Sequence, residues 1–260
     1  MEVHHHAHSA TGGAHNSRKK WTHYFWEFFM LFLAVTLGFF VENKREHMVE
    51  HVREKQYIKN LLQDLKQDTI ALSQNIKSRE KREIYTEYIL SQLNVTVNDS
   101  SLTKIHRNIF NLNSLQLFNY SNSTTQQLKN SGLMRLIRKS VVIDAINNYD
   151  NNISRHKVRE DVERELTIEY VKAVALVFNP ITLKDLGDSS SLWSTGKWSA
   201  GAIDSVMGRP LLTKDPDKIN VVKAWVAQLH NRNLSNLNNV RSLLKQATNV
   251  IDLINEEYHP

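Results

Sequence analysis

His47, Met48, Val49, Glu50 and His51 read H-x-x-E-H. On a helix this spacing sets two imidazoles one turn apart beside a carboxylate, the donor set with which inverted zinc metallopeptidases hold a metal and move a water proton. No recognisable downstream motif supplies the further acidic ligand, and the five residues sit in a run of alternating charges. A solvated helix face accounts for them, so no catalytic residue, metal or cofactor is assigned. A second candidate is Glu27, the one charged residue between Tyr24 and Val41. An ionisable group at membrane depth points by default to proton or ion handling. Glu27 is only one turn inside Tyr24, however, where a carboxylate reaches the interface or pairs with Lys20 or His23. The third is HHHAH, His4 to His8, whose imidazoles titrate near neutrality and bind transition metals loosely.

The elements that position these groups follow from pattern and composition. The 260-residue chain has 8 Gly, 4 Pro and no Cys. So few helix breakers mark a mostly α chain, and the missing thiols exclude disulfide scaffolds, zinc ribbons and thiol catalysis. Lys and Arg number 33 against 27 Asp and Glu, spread along the chain without basic tracts interleaved with aromatics, so no nucleic-acid partner is expected.

FWEFFMLFLAVTLGFF, Phe25 to Phe40, is the long apolar run of the sequence. From Tyr24 to Val41 a helix reaches about 27 Å, close to the hydrocarbon thickness of a bilayer. Phe28 to Val41 is apolar on every face except at Thr36 and Gly38, whereas soluble helices keep a polar side. Trp21, Tyr24 and Trp26 gather at its first end behind Arg18, Lys19 and Lys20, an interface anchor of aromatic and basic residues. VENKREH follows Phe40 with no small-residue cleavage pattern, which favours an uncleaved signal anchor over a signal peptide. Lys44, Arg45, Arg53 and Lys55 match the basic count of the near side, so orientation rests on the short amino-terminal tail staying inside.

Three regions result: a disordered His-rich tail over 1–20, a transmembrane helix over 21–41, and a helical extramembrane domain over 42–260 with a long loop at 179–215. Ile58, Leu62, Leu65, Thr69, Leu72 and Ile76 alternate steps of four and three, a coiled-coil seam. Glu42, Glu46, Glu50 and Glu54 form a solvated stripe beside it. Short helices are expected over Leu102 to Tyr120 and from Ser123 to Gly132. A long helix is expected from Ser140 to Phe178, with Ile146, Ile153, Val158, Val162, Leu166, Tyr170, Val174 and Val177 as its apolar positions. Asn147, Asn148, Asn151 and Asn152 weaken its middle, which allows a kink or break there. Asp215 and Pro216 start the last helix, whose seam includes Asn233; an exposed Asn is the simpler reading there. Trp193 and Trp198, between Asn179 and Lys214, are the candidate partner surface.

The stretch KKWTHYFWEFFMLFLAVTLGFFVENKREHMVEHVREKQYIKNLLQDLKQDT resembles a widespread family of single-span membrane proteins of Gram-negative bacteria that carries only a domain-of-unknown-function label. TTQQLKNSGLMRLIRKSVVIDAINNYDNN resembles that family's second recurring block. The resemblance implies an inner-membrane anchor followed by a helical domain, and implies no activity. The expected fold is all-α: one N-terminal transmembrane helix continuing into a helical stalk and an elongated antiparallel bundle. The expected function is that of a non-enzymatic interaction, sensing or scaffold protein. It would be single-pass in the bacterial inner membrane, with a cytoplasmic N-terminus and a periplasmic C-terminal domain. Its expected partners are the lipid bilayer and a second copy or another protein, with no ligand identified. The alternative is a subunit of an ion-driven membrane complex that uses Glu27.

Overall fold

The computed structural model describes residues 17–94, 99–189 and 208–259, and every regular element among them is helical. In chain order these are α1 (Ser17–Gln92), α2 (Asp99–Asn111), α3 (Ser123–Asn130), a 3₁₀ turn (Leu133–Leu136), α4 (Ser140–Ala175), α5 (Pro180–Ser189) and α6 (Pro216–Tyr258). The chain divides into two units, one ending at Glu54 and the other beginning at Lys55.

In the first unit every residue from Trp21 to Val49 is exposed. From Trp21 onward, α1 is the one helix among the described residues long and apolar enough to cross a membrane. The Thr36 hydroxyl donates to the Phe32 carbonyl at 2.8 Å, so the one hydroxyl of the apolar stretch is satisfied within its own helix. Arg45 pairs with Glu42 one turn away. The acidic stripe ends differently from expectation. Glu54 is 1 % exposed with His51 Nδ1 at 3.4 Å, so it is a buried acid rather than the last member of a solvated row.

The second unit is built on α1, α4 and α6. Residue pairs rise together between α1 and α4, as Asp68 with Tyr149 and Arg79 with Glu163. They run oppositely between α1 and α6, as Thr86 with His230 and Glu80 with Arg241. They run oppositely again between α4 and α6, as Asn152 with Gln246 and Arg159 with Ser235. Each helix buries one seam at alternating steps of three and four. On α4 it is Val142, Ile146, Tyr149, Ile153, His156, Glu160, Glu163, Thr167, Tyr170 and Val174. That alternation keeps one stripe facing neighbouring helices over many turns.

The apolar parts of these seams form two clusters. One gathers Ile58 to Leu72 of α1 with Val142 to Ile153 of α4 and Val240 to Ile254 of α6. The other gathers Ile89 and Leu93 with α2, the end of α4 and Ile219 to Leu229 of α6. Between them in sequence, all three seams turn polar.

Several local expectations are corrected. Asn147 to Asn152 do not break α4, because Tyr149 is buried at 2 % exposure and Asn152 bonds Gln246. Tertiary contacts there outweigh the weak helix propensity of Asn. Val158 is 64 % exposed, and the core face at that level carries His156, Glu160 and Glu163 instead. The expected helix over Leu102 to Tyr120 is Asp99–Asn111, and the chain from Leu115 to Asn122 is irregular. Within the 179–215 connection, α5 begins at Pro180, where the missing N–H costs nothing, with the Asn179 side chain accepting the Ile181 N–H. The Leu212 N–H bonds the Val177 carbonyl at 2.9 Å and brings Leu211 into the second cluster. α6 starts as expected, Asp215 capping Asp217 N–H ahead of Pro216.

Candidate functional site

The polar level between the two clusters is the most chemically loaded part of the second unit. α1 contributes Asn75, Arg79 and Arg82, α4 contributes Glu160 and Glu163, and α6 contributes Asn233 and Asn236, all buried. Arg79 is 0 % and Arg82 2 % exposed. A desolvated guanidinium survives only with an acid and acceptors for its N–H groups. Arg79 Nη1 is 3.0 Å from Glu163 Oε2, its Nε donates to Asn75 Oδ1 at 2.8 Å, and its Nη2 donates to the Gln116 carbonyl at 2.8 Å. Arg82 Nη1 donates to the Ser114 carbonyl at 2.7 Å, with its Nε 3.7 Å from Glu163 Oε1.

Glu163 is thus shared by two arginines, and Asn236 Nδ2 donates to it at 2.7 Å. Asn233, 0 % exposed, donates to the Arg79 carbonyl at 2.9 Å and to Glu83. The expectation of an exposed Asn233 is therefore overturned, because α1 supplies a backbone acceptor and a carboxylate opposite it. Burial pushes the Arg82 guanidinium down while Glu163 opposes that shift. Burial pushes the Glu83 carboxyl up, countered by Asn233 and by His230, whose Nδ1 is 3.0 Å away.

Much of this polarity serves a segment that cannot satisfy itself. The irregular strap between α2 and α3 makes few bonds of its own, and buried backbone groups must be paired. Arg82 takes the Ser114 carbonyl, Arg79 and Asn75 take the Gln116 carbonyl, and Glu160 accepts the Phe118 N–H at 2.7 Å. Asp68 then accepts the Ser121 N–H at 2.8 Å, and Asp64 accepts the Thr124 N–H at 3.1 Å in the first turn of α3. Asn122, at the cap position of α3, makes no side-chain cap bond, so α1 caps this helix from outside. Side chains of α1 and α4 thus act as rungs along the strap.

Two further buried groups stand one in each cluster's half. Asp68 accepts the Tyr149 hydroxyl at 2.9 Å, and burial pushes its carboxyl up to about 6. Burial pushes the Tyr149 phenol up as well, reinforced by Asp68. His106 on α2 stands edge-on to Phe178 at 5.4 Å between ring centroids, and burial pulls its imidazole down to about 4. Burial favours the neutral form of both groups: His106 stays neutral down to about pH 4, whereas Asp68 keeps its proton only below about pH 6.

The residues singled out from sequence fall elsewhere. Trp21, Tyr24, Trp26 and Glu27 are exposed on α1, and Arg18, Lys19 and Lys20 lie in its first turn. His47 and His51 are exposed. Trp193, Trp198 and the tail imidazoles His4 to His8 lie outside the described residues. Among the described residues, no three His, Asp or Glu side chains converge as a metal site would require.

Sequence reasoning missed Arg79, Arg82, Glu160 and Glu163. The expected α1 seam was one residue off at two places: Asp68 and Asn75 are buried where Thr69 and Ile76 were read, and steps of four and three from Asn75 reach Arg79, Arg82 and Thr86 before apolar Ile89. Comparison with known proteins returns no matching family model, no matching curated protein and no matching solved structure.

Proposed function

We propose that this chain is a membrane-anchored, non-enzymatic helical protein whose second unit serves interaction, sensing or scaffolding. In this reading Tyr24 to Val41 spans the bacterial inner membrane with the N-terminus cytoplasmic. The body from Lys55 onward is a periplasmic bundle in which α6 runs against α1 and α4. The resemblance to single-span inner-membrane proteins of unknown function belongs to the same reading.

The observation that carries it is the uninterrupted exposure of the apolar stretch. Phe28 is 67 %, Leu31 70 % and Phe39 74 % exposed, with the intervening residues likewise uncovered. Contiguous apolar surface of that extent is not tolerated in water, and a bilayer is the solvent that a helix apolar on all sides fits. The flanking Trp21, Tyr24 and Trp26 suit the headgroup level. The buried charges Arg79, Arg82, Glu160, Glu163 and Asp68 are engaged with one another or with the strap, which suits a recognition body better than a reaction centre.

The absence of native cysteine makes topology directly measurable. Lys245, exposed on α6, is replaced in Lys245→Cys, and intact spheroplasts are treated with a membrane-impermeant thiol reagent. Labelling from outside is expected. Labelling only after lysis overturns the periplasmic assignment, and release of the protein by an alkaline carbonate wash overturns the span.

A further inference from the structure

A groove of about 740 Å³ lies between α1 and the end of α6, within the second unit. One face of α1 supplies its long wall, where Lys55, Lys59 and Lys66 alternate with Ile58, Leu62 and Ile70 at helical spacing. Ile58 and Leu62 are buried and form an apolar floor, whereas Ile70 is 60 % exposed at one end. Tyr258 and His259 face them from α6. His259 has φ of 42°, the one non-glycine with positive φ among the described residues, and this left-handed cap puts it on the groove. The chain therefore ends α6 with a residue that can add a further N–H to the cationic side.

The electrostatics are one-sided. None of the lining residues among those described is a carboxylate. Lys129, Lys139 and Lys172 elsewhere in the unit each hold an acid, whereas Lys55, Lys59 and Lys66 form no ion pair among the described residues. Clustered ammonium groups above an apolar floor, with Ile70 exposed at its end, call for a ligand with an anionic head and an apolar body. The volume falls in the range of about 300 to 1,000 Å³ typical of small-molecule sites. Three aliphatic side chains make too short a stripe for the four-anchor face of a docked helix.

We propose that this groove binds a single-chain anionic amphiphile of the fatty-acid class, its carboxylate held by the lysines and its chain laid along Ile58, Leu62 and Ile70. Lysine suits a mobile carboxylate head because its three donors sit on a flexible stem, which follows the head without demanding planar, bidentate geometry. The inference concerns Lys55 to His259 alone and is independent of whether Tyr24 to Val41 crosses a bilayer.

The test uses the full chain in zwitterionic lipid discs with a photoactivatable palmitate as probe and mass spectrometry to map the adducts. Adducts are expected within Lys55 to Ile70 and Asn255 to His259, and excess palmitate should chase them while hexadecanol does not. Lys55→Glu/Lys59→Glu/Lys66→Glu should reduce labelling by about tenfold or more. All three side chains are exposed, so the thermal transition should be unchanged. Ile70→Glu, at an exposed position, provides a second variant that should weaken labelling through the chain end of the groove. Adducts confined to Trp21 to Val41, equal chase by hexadecanol, or wild-type labelling of the folded lysine variant would overturn the proposal.

Discussion

From Phe25 to Val41 the apolar side chains point outward, and from Asn75 to Thr86 and His156 to Thr167 the charged and polar ones point inward. Both arrangements invert the usual rule, for different reasons. Outward aliphatic surface is stable only where the surrounding medium is itself apolar, each Å² removed from water contributing about 25 cal/mol. Inward charge is stable only where partners from other elements replace its hydration, as Glu163 and two strap carbonyls do for Arg79 and Arg82. The first inversion is a property of one helix. The second exists only when several elements have assembled.

The strongest test of that contrast is Glu163→Ala, which leaves two buried guanidiniums without their shared acid. A loss of about 3 to 5 kcal/mol in chemical unfolding is expected. A loss below about 1 kcal/mol would show that the pair is compensated elsewhere. The outward region breaks by the opposite change: Leu33→Arg puts a charge at the centre of the apolar stretch at a cost of about 2.5 to 3.5 kcal/mol. It should shift protein from the carbonate-resistant pellet to the supernatant, and undiminished retention would count against a span.

Asn233→Leu removes one rung of the polar level while keeping its volume. It should cost about 1 to 3 kcal/mol, because the Arg79 carbonyl and Glu83 lose a donor. Its mirror control is Val158→Asp, a polar change on the exposed outer face of α4, which should stay within about 0.5 kcal/mol.

Asp68 and His106 give the two halves of the core opposite responses to pH. Asp68 holds its proton more tightly folded, at about 6, than at its ordinary 3.8. Stability from that group is therefore highest below 3.8 and falls as pH rises through about 6. His106 drops from 6.5 to about 4 on folding, so the unfolded chain takes the proton first and stability is lost as pH falls from 6.5 toward 4. Melting temperature against pH should lose the first trend in Asp68→Asn and the second in His106→Gln. If either variant retains its trend, that group does not govern it.

Much of the helical layout was readable before any coordinates. The alternating seams of α1 and α6, the start at Asp215 and Pro216, and the apolar stretch from Tyr24 to Val41 all follow from local pattern, because each is set by side chains a few residues apart. The apolar stripe misled only where it was weakest, in the middle of α4. Val158 looked like core there and is exposed, and Val162 is only half-buried, while His156, Glu160 and Glu163 occupy that place; Leu166 does pack, half-buried, against the second cluster.

The candidate site was least legible, and the reason lies in its separations along the chain. Arg79 meets Glu163 across 84 residues and Asn233 across 154, and the strap finds its acceptors and donors on α1 and α4. Sequence alone determined which faces are periodic and which segment is apolar over a membrane-spanning length, since hydrophobicity and helical geometry act within single elements. Only the tertiary structure decided that charged positions on those faces go inside, because a buried charge is stable only through partners that folding brings to it.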